Sequence, residues 1–385
     1  KTIGSTAVGA DAGYYTTGSY NTFMGYKAGH GGTTSAPYSS GTHNVALGYN
    51  ALAGFTTGVD NVAIGSSAGD AITSGYRNVT IGRYAGSAIN TGAHNINIGY
   101  AAGDAITDTT YTVLIGENAG TAINHTDAQG TIAIGYAALE VMTSGQYNTA
   151  VGFRAGDNVT TGDQNTLIGY DAGSRGGSAD GITTGTGNTA VGYRAVGGSS
   201  GNAIAGDGNT GIGADALKSL SSDAANNTAV GRLASDAVNT AVGTVSVGYG
   251  ALSGISTTGD YSIAIGYGAM GGAEVGDGNI AIGYQSLQNA NSSALHRNIA
   301  IGYQTMANVG SNGPDDNVAL GYQALNDITT GGYNLGIGSY ALEKVTTTTD
   351  NVSVGFVAGR RITGQRNIAI GSYAFDYGHV VDDSV

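Results

Sequence analysis

One phrase, Asn-x-Ala-Ile-Gly-Tyr-x-Ala, returns along almost the whole chain, and this repetition constrains the fold more than any other feature. Clear copies are Asn44-Val45-Ala46-Leu47-Gly48-Tyr49, Asn279-Ile280-Ala281-Ile282-Gly283-Tyr284 and Asn317-Val318-Ala319-Leu320-Gly321-Tyr322. Indexed by the central glycine, 21 copies run from Gly9 to Gly371, and ten of the 20 intervals are 17 residues, the rest 16 to 23. Side chains drift while the period holds. That is the mark of one supersecondary unit stacked many times, each copy resting on its neighbours.

The columns of the repeat define its local structure. The residue before the central glycine is Ile, Val, Leu or Met in all 21 copies, and the residue three before is Val, Ile, Leu or Thr. β-Branched residues at this density predict a strand, and 69 glycines in 385 residues disfavour helix. The run is apolar on both parities, which predicts a strand buried on both faces, as in parallel sheets. Seven after the glycine stands an aliphatic residue in many copies (Ile72, Ile89, Ile106, Ile123, Val159, Ile328, Ile362), followed by Thr and then Thr/Ser-Gly. This reads as a second short strand closed by a turn whose glycine, as at Gly58 and Gly75, takes positive φ. Ala stands three after the central glycine in 19 copies, with Ser286 and Thr305 as the exceptions, so a narrow coil interior is expected. The fold class predicted is all-β: a repetitive parallel β-roll, a two-sheet β-solenoid of about 17 residues per coil and about 21 coils.

Four before the glycine stands Asn in 16 copies, and Ser or Thr in the other five. Stacked coils lie about 4.8 Å apart. They would bring Asn44, Asn61, Asn78, Asn95, Asn148, Asn165, Asn279, Asn298, Asn317, Asn334, Asn351 and Asn367 into a structural ladder of amide hydrogen bonds. One after the glycine, a Tyr column is expected through Tyr49, Tyr100, Tyr136, Tyr249, Tyr267, Tyr284, Tyr303 and Tyr322. An amphipathic stacking ladder is the plain reading of it, and an aromatic track for glycans the sharper one.

No composition shift marks a domain boundary. Residues 1–375 read as one repetitive region, with irregular, loop-bearing coils at 26–43, 173–208, 289–297 and 308–316, and an acidic C-terminal tail over 376–385. Insertions in a solenoid map to outside loops, where binding residues are expected, although none can be assigned. Near Gly231 the register is ambiguous, because Asn239-Thr240-Ala241-Val242-Gly243 also fits the phrase.

Net charge is −13 with only 14 basic residues, which argues against nucleic acid and anionic membranes as partners. No apolar run approaches the roughly 20 residues of a membrane span, so no membrane insertion is expected, and Lys1-Thr2-Ile3-Gly4 does not read as a signal peptide. There is no Cys, which removes disulfides, thiolate metal sites and Cys nucleophiles and fits an extracellular or virion protein. His30, His43, His94, His125, His296 and His379 fall at unrelated repeat positions, and the acid pairs Asp315-Asp316 and Asp382-Asp383 read as solvated charges. Gly206-Asp207-Gly208 and Gly276-Asp277-Gly278 leave calcium as a minor candidate cofactor, although the nonapeptide period of calcium-binding rolls is absent. Gly185-Thr186-Gly187 is a repeat turn, not a dinucleotide fingerprint. No catalytic, metal or cofactor-binding residue is assigned, and no enzymatic activity is expected.

The Asn-x-Ala-Ile-Gly-x-x-Ala phrase resembles the head repeat of trimeric autotransporter adhesins of the YadA type. Longer copies, such as 317–331, look still more like repeats of phage tail-fibre and bacterial surface fibre proteins. The resemblance spans roughly residues 5 to 375. It implies a left-handed parallel β-roll, a parallel homotrimer, and a place outside the cell or on a virion surface. The function it implies is a structural fibre for attachment, a tail-fibre or adhesin shaft presenting loops to a cell-surface glycan or receptor. At ~4.8 Å per coil such a shaft would be roughly 100 Å long. The alternatives carried forward are an ice-binding or polysaccharide-binding β-solenoid and, behind them, a polysaccharide-degrading spike.

Overall fold

A computed structural model describes residues 3–376, apart from 34, 36, 37, 175–179, 199–202, 254–258, 272–274, 290–294 and 311. The acidic tail beyond Asp376, with Asp382-Asp383 and His379, lies outside the described residues, and the four irregular coils are described only in part. The chain divides into two compact units, residues 1–191 and 192–385.

The first unit holds eleven three-residue strands, from β1 (Thr6–Val8) to β11 (Thr189–Val191). Each pairs in parallel, without slippage, with the next in sequence. Between β3 (Val45–Leu47) and β4 (Val62–Ile64), for example, Ala46 faces Ala63 and Leu47 faces Ile64. The second unit repeats the scheme with ten strands, β12 (Thr210–Ile212) to β21 (Ile368–Ile370). Apart from the 3-10 turn Thr126–Ala128, the described residues contain no helix. The chain is thus an all-β parallel solenoid of 21 short strands, one per sequence repeat.

Two details differ from expectation. The strands are not buried on both faces: in nearly every one only the middle residue is buried, while the residues before and after it face outward, half-buried or exposed. Each strand is one layer thick, so the wall of a single coil covers one side only. Second, no second strand forms at the Ile-Thr-Thr/Ser-Gly segment among the described residues. There the amides of Thr56, Thr57 and Gly58 all donate to one carbonyl, that of Thr73, at 2.8, 3.2 and 3.1 Å. Three donors converging on one acceptor make a tight bend, whereas a sheet would alternate its bonds.

The turn glycines do not take positive φ either. Gly58 and Gly75 keep negative φ and are small because the next coil presses on them: a Cβ at Gly58 would stand 2.6 Å from the Gly75 carbonyl oxygen. Positive φ instead marks four other positions in all 21 coils: the central glycine, two and four residues after it, and five before it. At the last three positions most residues are not glycine, and Leu52, Tyr84, Arg77 and Val196 are examples. Left-handed backbone costs an L-residue about 1–2 kcal/mol. That cost is met by stacking, since nearly every turn bonds to its counterpart in the next coil.

The interior is filled by complementary volumes. The middle strand residue, the Ala three after the glycine and the aliphatic residue seven after it are buried. Where the fourth position after the glycine is Gly, the middle strand residue is large in several coils: Phe23 with Gly29, Leu114 with Gly120, Leu167 with Gly173. A Cβ on those glycines would come within 2.3, 2.9 and 2.8 Å of the large side chain. Where that position is Leu, as at Leu139, Leu217 and Leu342, the strand residue shrinks to Ala133, Gly211 and Gly336. In these coils the two positions exchange volume, as close packing requires.

Candidate functional site

The Asn column is internal. Asn44, Asn61, Asn78, Asn95, Asn148, Asn165, Asn279, Asn298, Asn317, Asn334, Asn351 and Asn367 are all fully buried or nearly so. In the repeating geometry, Oδ1 of one Asn accepts from the backbone and side-chain amides of the next, and that side chain donates again to a turn carbonyl one coil on. Asn317 donates from its backbone N–H to Asn298 Oδ1 at 3.0 Å and from Nδ2 to Asn298 Oδ1 at 3.1 Å, to Gly331 O at 2.9 Å and to Asp315 O at 3.1 Å. Thr244 continues the ladder through its hydroxyl on Asn227 Oδ1 at 2.7 Å. Thr112 does the same on Asn95 Oδ1 at 2.9 Å. Every polar atom of this column is engaged inside the protein, so it offers nothing to a ligand.

The outward face is different. Its two rows are the first and last strand residues, with Met24, Leu47, Ile168, Ile212, Ile265 and Ile337 exposed. The Tyr position, on the same parity, adds a third row. In the second unit Tyr249, Tyr267, Tyr284, Tyr303 and Tyr322 stack face to face, with centroids 5.2, 5.3, 4.9 and 5.3 Å apart and planes within 14° of parallel. In the first unit Tyr26 stacks on Tyr49, and Tyr136 on Phe153 and Phe153 on Tyr170. Tyr100 joins no such run: its neighbours one coil away in the column are Arg83 and Glu117, and it meets Tyr84 edge-on at 6.3 Å. The five stacked rings of the second unit are 41–51% exposed; at roughly 200 Å² per side chain they leave about 450 Å² of aromatic surface in water. That alone equals the largest apolar patch of an ordinary monomer, roughly 300–600 Å², before the aliphatic rows are added.

Charged groups sit at the turns. Arg297 binds Asp316 through Nε and Nη2 at 2.7 and 2.9 Å, which holds the Asp316 carboxyl below its ordinary range. Burial pushes the Asp70 and Asp104 carboxyls above theirs. The histidines are used locally: His43 stacks on Tyr20, His94 on Tyr111, His125 accepts from the Asp127 amide, and His296 Nδ1 accepts from the Asp277 amide at 2.9 Å. Among the described residues no three His, Asp or Glu side chains converge as a metal-ligand set. The turn threonines bond to the next coil, Thr56, Thr160 and Thr329 donating to carbonyls at 3.0, 3.1 and 2.9 Å.

Among the described residues the surface carries recesses, three of them as follows. One of about 460 Å³, beside the irregular coil at 26–43, is lined by hydroxyls of Thr17, Ser39 and Thr56 and by Tyr38. A second, of about 270 Å³, lies against Tyr249 and Tyr267. The third, of about 340 Å³, lies between Tyr340, Phe356 and Tyr373. Sequence periodicity found the Asn and Tyr columns. It missed the outward aliphatic rows, because a fully apolar strand reads equally well as buried on both sides. No protein-family model matches this chain, and neither does any curated protein sequence.

Proposed function

We propose that this protein is the shaft of an extracellular or virion attachment fibre, a non-enzymatic parallel homotrimer in which copies of the chain cover one another's outward strand faces. The observation that carries the reading is the uncovered band of Val/Ile, Ile/Leu and Tyr rows on a wall one strand thick. Burying apolar area is worth about 25 cal/mol per Å², and a specific interface needs about 800 Å² from each partner. Two aliphatic rows plus a Tyr row, sustained over many coils, provide area on that scale. A second copy in parallel register matches the face along its whole length, since both carry the same period. The irregular coils are where the shaft would present groups to a cell-surface glycan or receptor.

Light scattering tests the reading. The expected mass is three times 38.1 kDa, surviving SDS at room temperature. A concentration-independent 38.1 kDa species refutes it. So does a trimer whose mass is unchanged when Ile265 and Ile337 are both replaced by Lys.

A further inference from the structure

The aromatic column changes character near its C-terminal end. From Tyr249 to Tyr322 the rings occupy the first position after the glycine and stack in parallel, each against its neighbour. In the next coils the ring alternates between the second and first positions: Tyr340, Phe356, Tyr373. The second position is left-handed, with φ 61° at Tyr340 and 59° at Tyr373, and this rotates the rings out of the stack. Tyr340 and Phe356 lie 6.3 Å apart at 79°, Phe356 and Tyr373 5.4 Å apart at 82°. These mutually perpendicular rings border a recess of about 340 Å³.

The same recess is lined by Val357, Arg360 and Asp376. Arg360 is already neutralised: its Nε donates to Glu343 at 2.7 Å, and its guanidinium lies over the Tyr340 ring, 5.9 Å from the centroid. Asp376 is not. It is 4% exposed, its Oδ1 has no hydrogen-bond partner, and no cation lies within ion-pair distance of it among the described residues. A buried carboxylate without a counter-charge is costly, and aromatic faces present negative charge as well. Both point to one kind of occupant. The perpendicular pair Tyr84 and Tyr100 has the same positional offset, but no buried carboxylate with an unpartnered oxygen accompanies it among the described residues. The recess at Tyr249 and Tyr267 has neither exposed ring faces nor an acid.

We infer that Tyr340, Phe356, Tyr373 and Asp376 form an aromatic cage for a small organic cation of the quaternary-ammonium class. The apolar methyl groups of such a cation lie against the rings, and its charge faces the Asp376 carboxylate. The inference does not rest on the fibre reading.

The test is titration of the full chain, followed by calorimetry and by tyrosine fluorescence, with four probes: tetramethylammonium chloride, choline chloride, the uncharged choline isostere 3,3-dimethylbutan-1-ol, and methyl α-glucoside. Saturable binding of both cations is expected, at least ten-fold tighter than the isostere. Asp376→Asn, which leaves an isosteric uncharged group and so preserves packing, is expected to weaken choline at least ten-fold. Tyr373→Leu should weaken it as well, with far-UV circular dichroism unchanged for both variants. Equal affinity for choline and the isostere would reduce the recess to an apolar cavity and overturn the assignment. Binding of the glucoside alone would make it a sugar site and overturn it too, as would no saturable binding of either cation.

Discussion

Replacing the central glycine of a coil tests the architecture most directly, and Gly283→Ala is the cleanest case. Gly283 has φ +136°, a region closed to L-residues, and an added Cβ would stand 2.2 Å from the Gly302 carbonyl oxygen. A carbon–oxygen contact needs ~3.3 Å, so the next coil has to retreat by about 1 Å. The backbone strain contributes about 1–3 kcal/mol. The retreat also disturbs the ladder bonds from Gly283 N–H to Ile265 O and from Gly302 N–H to Ile282 O, both 2.8 Å, at about 1 kcal/mol each. The expected loss is therefore about 3–5 kcal/mol. It falls on the neighbouring coils, because a solenoid coil touches only those beside it. Hydrogen exchange read by mass spectrometry should show faster exchange around residues 263–304 and unchanged protection around residues 45–99. The control runs the opposite way. Tyr261 also has positive φ, 56°, and is 68% exposed, so Tyr261→Gly removes strain and should stabilise by up to about 1 kcal/mol. Unchanged protection in Gly283→Ala, or a loss as large in Tyr261→Gly, would refute the claim that contact with the next coil, and not positive φ by itself, makes glycine obligatory at the centre of the repeat.

Other outcomes follow from the same packing. Asn317→Ala keeps the backbone donor, removes the Nδ2 bonds to Asn298 Oδ1, Asp315 O and Gly331 O, and leaves the Asn334 backbone and side-chain amides without their acceptor at 3.0 Å; the unfolding free energy in denaturant should fall by about 2–4 kcal/mol, and by less for Asn317→Thr. Asn97 is buried with both amide atoms unpartnered, so Asn97→Leu is expected to raise stability by about 1–3 kcal/mol in urea unfolding. In a double-mutant cycle, Leu114→Ala and Gly120→Leu should each destabilise alone, while the pair recovers at least about 1 kcal/mol through the restored volume. Burial raises the Asp70 carboxyl, so the folded state binds its proton more tightly than the unfolded chain. Its contribution is fully present below the unfolded value near 3.9 and is lost as pH rises through the raised one. Asp70→Asn should therefore be more stable than the parent at pH 7, by less than about 1 kcal/mol since the group is half exposed, and indistinguishable from it at pH 2.5.

Periodicity exposed what depends on side-chain identity. The strand at Val45–Leu47 and the Asn column beneath it could be read because few residue types satisfy those positions. The left-handed positions could not be read. At five before the glycine the chain carries Tyr20, His43, Arg77, Gln164 or Asp350 as freely as Gly. The conformation there is imposed by neighbouring coils and leaves no mark in composition. The Thr-rich bend misled for a related reason: Thr56 and Thr73 have strand propensity, but three amides converging on one carbonyl decided the backbone. The cage at Tyr340, Phe356 and Tyr373 was hidden because its cause is a one-residue shift within an otherwise regular column.

The Asn ladder also has a weak rung. Thr112 takes hydrogen bonds from no Asn above it, and no side-chain bond joins it to Thr131 in the next coil; Thr131 reaches only Gly145 O, at 3.4 Å. A stack pulled along its axis lengthens one coil at a time, beginning where the fewest bonds tie neighbours together. Across Thr112, Thr131 and Asn148 no side chain of the column bonds to the next, and between Gly116 and Gly135 the backbone ladder is joined by the Thr121 hydroxyl on Glu140 O at 3.2 Å, so this stretch is the mechanical fuse of the first unit: the coils that part first under tension, between the amide-linked runs that end at Asn95 and begin at Asn148.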